Sequence, residues 1–209
     1  MVERQEVADD CAAGFQFRVV LEGVSPLVWR RLLIPGGTSI ARLHEVLQLA
    51  FGWDGEHLHR FVIHGREYGI GYVGGIGFSD DPHLVGLSRF GRRSGERFRY
   101  EYDFTAGWRL QLRVEQVLAP VSRQDATCTD GRRAGPPPRC LGAWEYLAFR
   151  ARHTIVEVAE RVLDIAADRA GLPEHRDELD GLRTWLGLDH FDRAGLNRSL
   201  VRGRPGGQA

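Results

Sequence analysis

Polar and apolar residues alternate along FQFRVVLEG, residues 15–23. Phe15, Phe17 and Val19 fall to one side, and Gln16, Arg18 and Val20 fall to the other. A period of two predicts a strand with one buried face. Ser25-Pro26 predicts a turn, and the β-rich stretch 27–35 that follows ends at Pro35. Over residues 39–51 the period becomes helical: Ile40, Leu43, Val46, Leu47 and Ala50 share a face, Thr38 or Ser39 caps the start, and Gly52 stops it. Residues 57–65 read as another strand. Residues 97–104 and 108–118 alternate, and Thr105-Ala106-Gly107 between them predicts a hairpin. The Gly-, Ser-, Asp- and Pro-rich stretches 68–95 and 119–139 read as loops. From residue 142 the spacing is helical, with candidate helices at 142–150, 153–170, 174–187 and 192–201.

Strands that come first and helices that come last give an α+β class. The expected architecture is a mixed, largely antiparallel sheet with a packed helix, plus a helical C-terminal extension. The expected organisation is a disordered acidic arm over residues 1–14, an α+β domain over 15–150, a helical extension over 151–202 packed on that domain, and a disordered tail over 203–209.

The 209 residues are 43% hydrophobic and 27% charged, enough to bury a core. Lys+Arg and Asp+Glu are both 28, which argues against coating nucleic acid through a global excess of cations. Every basic residue is Arg. The absence of Lys removes Schiff-base and phosphate-loop lysine chemistry. Cys11, Cys128 and Cys140 are too few and too irregular for a disulfide framework. The first residues are acidic, and no run approaches membrane-spanning length. The expectation is therefore a cytoplasmic protein with reduced thiols and no membrane association.

Three groups of side chains carry candidate chemistry. His44, His57, His59 and Asp103 form a polar cluster, because His57 and His59 on a strand would share a face and His44 lies on the preceding helix. Imidazole and thiolate suit zinc, but no C-x-x-C or H-E-x-x-H spacing occurs, so no cofactor is expected, with zinc as the minor alternative. The structural alternative is that His44 and His59 hydrogen-bond within the core or pack against Trp53. Arg30 either pairs with Asp103 or Glu101 across the sheet or grips a phosphate or carboxylate. Trp53, Trp108 and Tyr102 form a candidate aromatic surface, although aromatics at strand spacing are more often core. Gly69 to Gly74 spells G-x-G-x-x-G, but more Gly and a Pro follow it rather than a helix, which excludes a dinucleotide site.

Charge is uneven. Residues 84–113 hold seven arginines against three acids, and Arg89, Arg92, Arg93, Arg97 and Arg99 form a candidate nucleic-acid patch that could touch DNA or an acidic protein. The competing account is that the acidic stretch 174–192 neutralises it.

Several segments occur together in one order: PLVWRRLLIP, SIARLHEVLQLAFGW, HLHRF, YEYDF followed by Trp108, CTDGRRAGPPP, and FDRAGLNRSL. In this the chain resembles the plasmid ORF-3-like family, first named from a root-inducing plasmid and also known as insertion-sequence passenger TnpR-like proteins. The resemblance covers roughly residues 15–149 and 176–200, and makes helix 153–170 look like an insertion. It implies an α+β domain of unestablished biochemistry with a role in resolving transposon cointegrates. The chain departs from the family pattern. Ala106 stands where an acid is usual, Leu110 where a His is usual, and Gly135-Pro136-Pro137-Pro138-Arg139 lacks the usual cysteine and two acids. The letters His57-Leu58-His59-Arg60 match the His-x-x-Arg of tyrosine recombinases, but they lie on a strand and too early in a short chain.

The expectation is a mobile-element passenger protein with a binding or accessory role rather than an enzyme. The alternatives are a metal-dependent or hydrolase-like enzyme using His44, His57 and His59, and a protein-interaction module.

Overall fold

The computed structural model describes residues 13–71, 77–91, 93–120, 125–138, 140–168 and 173–203. Most of the acidic arm, Arg92, Arg139, Cys11 and the last residues of the tail lie outside the described residues. So do residues 72–74, half of the G-x-G-x-x-G stretch.

The element order is β1 (Ala13–Leu21), β2 (Trp29–Ile34), α1 (Ile40–Phe51), β3 (His59–Ile63), β4 (Arg66–Tyr68), β5 (Arg97–Tyr102), β6 (Trp108–Pro120) and β7 (Thr127–Arg132). Four helices follow: α2 (Ala143–Ala151), α3 (Ile155–Ala167), α4 (Arg176–Gly187) and α5 (Arg193–Arg202). The strands form a seven-stranded sheet of order β4-β3-β5-β6-β1-β2-β7, antiparallel at every described pairing. The chain is α+β. Two strands are unexpected: one in the short gap before the predicted loop 68–95 and one inside the predicted loop 119–139. β4 is a short hairpin partner of β3, and β7 lies in the stretch whose Asp, Gly and Pro signal a turn.

The period-two pattern decides which face is buried. Phe17, Val19, Leu21, Leu32, Ile34, Phe61, Tyr100, Leu110 and Leu112 all point to one side and are buried there with Leu43, Val46, Leu47 and Phe51 of α1. The α1 cap follows the sequence signal: Ser39 Oγ accepts from the Arg42 N–H at 3.1 Å, and Gly52 takes the left-handed conformation, its N–H donating to Gln48 O. Leu188, Leu196 and Leu200 from the C-terminal helices join this core, whereas Val158, Ile165 and Leu182 form a second, smaller cluster between α3 and α4.

Helix α5 closes one sheet edge. Asn197 Oδ1 accepts from the Cys128 N–H at 2.7 Å, and its Nδ2 donates to the Cys128 carbonyl at 3.0 Å. A neighbouring strand would make this same pair of bonds.

Arg30 does not pair with Asp103 or Glu101. β2 and β5 stand three strands apart, about 14 Å at ordinary strand spacing. Arg30 also faces the core side, whereas Glu101 accepts from Arg60 Nε at 2.7 Å and lies 3.6 Å from Arg99 and 3.9 Å from Arg109. Arg30 instead donates to three backbone carbonyls, those of Ala50 (2.8 Å), Trp29 (2.8 Å) and Arg132 (3.0 Å).

Candidate functional site

The histidine cluster divides in two. His44 on α1 and His59 on β3 are buried, with their rings stacked at 3.7 Å. The Tyr100 hydroxyl lies 2.8 Å from His44 Nδ1, within hydrogen-bond distance, and accepts from Gln48 Nε2 at 2.7 Å. His59 Nε2 accepts from the Ile70 N–H at 3.4 Å, and His59 Nδ1 is buried without a partner. Burial holds both imidazoles neutral: it lowers the pKa of His44 to about 4 and, together with the neighbouring His44, that of His59 to about 3. Neutral, stacked and enclosed, the two rings sit in the core.

His57 precedes β3 and is exposed, because the strand begins only at His59. Its Nε2 stands 3.9 Å from Asp103 Oδ2, the one approach between a predicted histidine and Asp103 in the cluster. Asp103 sits in the β5–β6 connection at φ 49, and its Oδ1 accepts from the N–H groups of Thr105 (3.1 Å) and Ala106 (3.2 Å). That carboxylate is first of all a turn-former. Beside it lies a cleft of about 250 Å³ bordered by Trp53, Tyr102, Trp108, Asp54 and Cys140. The three predicted aromatics meet here. Trp53 stacks on Tyr102 with centroids 4.9 Å apart and lies 6.2 Å from Trp108. Tyr102 and Trp108 are buried, so the cleft shows edges rather than an open stacking platform. The Tyr102 hydroxyl donates to Asp54 Oδ1 at 2.6 Å. That bond holds the Asp54 carboxyl below its ordinary range, while burial first and then Asp54 push the Tyr102 phenol up. Burial likewise raises the Cys140 thiol, which keeps it protonated and a poor nucleophile. Among the described residues, no group of three His, Cys, Asp or Glu side chains converges as a metal site.

The predicted basic patch also divides. Arg89 and Arg93 lie in connections, Arg89 3.8 Å from Asp80. Arg97 and Arg99 project from the outer face of β5, on the strand that their alternation predicts. The registers show what surrounds them. Arg97 is paired with Arg113, Arg113 with Arg18, and Arg18 with Arg31, across four adjacent strands. Arg31 is neutralised: its Nε and Nη2 grip Glu115 at 2.6 and 3.2 Å, a contact that raises the Arg31 pKa and lowers that of Glu115. No ion pair is recorded for Arg18, Arg97 or Arg113 among the described residues, and Arg18 lies over the Trp29 ring at 4.9 Å. The acidic stretch 174–192 does not reach this face. Its recorded ion pairs run to Arg133, Arg150, Arg161, Arg198 and His175. Arg18 was missed as a candidate although it carried a signal: it is the polar position inside the Phe17-Arg18-Val19 alternation, as Arg113 is inside Leu112-Arg113-Val114.

These features define an α+β protein whose antiparallel sheet buries one face under helices and leaves an arginine-rich face to solvent. The chain belongs to the plasmid pRiA4b ORF-3-like protein family, whose model matches residues 13–199. It is 30% identical over 193 residues to the uncharacterized protein y4hQ of Sinorhizobium fredii (strain NBRC 101917 / NGR234), covering 91% of this chain and 89% of that one. Its fold is shared with the crystal structure of a protein of unknown function, MM3350, from Methanosarcina mazei Go1. That likeness has a TM-score of 0.64 at 23% identity, over 88% of this chain and 98% of the other. Among the described residues, no helix is long and apolar enough to cross a membrane.

Proposed function

We propose that this chain is a nucleic-acid-binding accessory protein of a mobile element, acting in the manner that the TnpR-like label implies and docking duplex DNA on the outer face of its sheet. One observation carries this reading: the row Arg97–Arg113–Arg18–Arg31. Like charges directly opposite one another destabilise a sheet. A face that only needs solubility gains nothing from a row in which, among the described residues, Arg97 and Arg113 have no carboxylate at ion-pair distance and Arg18 only shares the Glu115 carboxylate that Arg31 grips. A phosphate backbone relieves that repulsion and releases counterions. Neighbouring Arg99, Arg109 and Gln111 extend the polar surface. The near-zero net charge is consistent with binding confined to one face.

Binding measured by fluorescence anisotropy on a duplex should weaken steeply with salt, with a slope of log K on log[salt] of about −3 for three phosphate contacts. Arg18→Gln, Arg97→Gln and Arg113→Gln should each reduce that slope by about one. Binding that is absent at low salt, or a slope untouched by the triple variant, rejects the reading.

Enzymatic use of the histidine cluster has less support, since two of its three rings are enclosed. A second reading, protein docking, is favoured by α2 and α3. Trp144 is 85% exposed, and Ile155, Val156 and Leu163 are each at least 60% exposed. If this face docks a second copy, light scattering should show association that Leu163→Glu abolishes. A monomer at all concentrations removes the self-docking form of this reading.

A further inference from the structure

We infer that the cavity under the Pro136–Pro138 segment is a binding site for a small organic carboxylate, with the buried Arg30 guanidinium as its anchor. The cavity measures about 440 Å³ and lies between the end of α1, the proline segment and α5, with Arg30, Phe51, Pro136, Phe191, Thr184 and Ser199 among its lining. That volume suits a small ligand.

Arg30 is 2% exposed. Its guanidinium carbon lies against two rings, 3.8 Å from the Phe191 centroid and 5.1 Å from that of Phe51. Nε and Nη1 are spent on the carbonyls of Ala50, Trp29 and Arg132. No partner is recorded for Nη2, and no carboxylate lies within ion-pair distance among the described residues. Buried charges are ordinarily paired. Here two rings lie against the cation, three of its donors are fixed, and Nη2, which has no partner among the described residues, belongs to a residue that borders a cavity. Burial also lowers the Arg30 pKa to about 10, which leaves it fully charged near neutrality.

The surroundings select the ligand. A single cation in a wall of Leu49, Phe51, Pro and Leu188 suits one negative charge on an apolar body. Asp192 also borders the cavity. Its Oδ1 caps α5 on the Gly195 N–H at 2.8 Å, and its Oδ2 stands 3.7 Å from Arg198. A carboxylate at that position disfavours a second charge on the ligand, and so disfavours phosphate.

Arg30 also ties α1 to β2 and β7, so its removal would confuse binding with folding. The test therefore fills the cavity instead. Wild-type protein is titrated with hexanoate, benzoate and inorganic phosphate while the Arg30 Nε–H signal is followed by NMR. Saturable shifts with either carboxylate in the roughly millimolar range, lost in Ser199→Trp with the remaining spectrum unchanged, are the expected result. No saturable shift, a shift that persists in a folded Ser199→Trp, or saturation by phosphate alone overturns the inference. If Ser199→Trp does not fold, Thr184→Phe takes its place with the same criteria.

Discussion

At the scale of single residues, the stacked pair His44–His59 sets a pH limit on the fold. Each imidazole has a folded pKa well below its ordinary 6.5. The unfolded chain therefore binds protons that the folded chain refuses. Stability from this pair is complete above about pH 6.5 and declines as pH falls toward about 4. The effect is on the order of 3 kcal/mol for His44 alone. His59→Phe removes a ring whose Nδ1 is already unpartnered. Urea denaturation at pH 7.5 and pH 5 should then show a smaller acid loss for the variant than for wild type, and equal losses would count against this origin. The pair was only partly legible in the sequence. The helical spacing of His44 and the strand spacing of His59 were readable, as was the bland outcome of core hydrogen bonding. The separation of His57 from His59 was not, because it depends on where β3 begins, and the pattern extended that strand two residues too early. Arg30 was misplaced for a different reason: alternation gives the face of a residue but not the order of the strands.

At the scale of elements, propensity and capping accounted for α1, the β5–β6 pair and all four C-terminal helices to within a few residues. β4 and β7 were missed. β7 reads TCTDGR, with the Asp and Gly of a turn, and is a strand only because β2 pairs it through a register shift and Asn197 completes it from outside. Tertiary context overrides local signal there. The proline segment shows the same dependence. Gly135 sits so close to the Phe51 carbonyl that a Cβ cannot be accommodated. Gly135→Ala should cost about 1–3 kcal/mol by forcing this segment from the end of α1. Gly181, in the middle of α4 with open space around its missing Cβ, should respond in the opposite way. There Gly→Ala should add about 0.5–1 kcal/mol. Thermal melts of the two variants check both signs.

At the scale of the whole molecule, the outer arginine face emerges only from the sheet order. Arg18 and Arg97 are distant in sequence, and the row joining them exists because β1 and β5 flank β6. A charge count along the chain found Arg97 and Arg99 but merged them with Arg89, which lies beside Asp80, and with Arg93 in the connection before β5. The salt dependence expected for DNA is therefore a property of the assembled sheet: unfolding should abolish it, whereas the cationic content of the chain is unchanged. The two rims of that sheet limit what else it can do. At one rim β4 offers three residues; at the other, the Asn197 amide already occupies the Cys128 peptide group. A visiting peptide has little free backbone to zip onto at either side. Recognition by this protein is thereby steered away from strand addition and toward broad, face-on contact, and copies of the chain are kept from polymerising rim to rim.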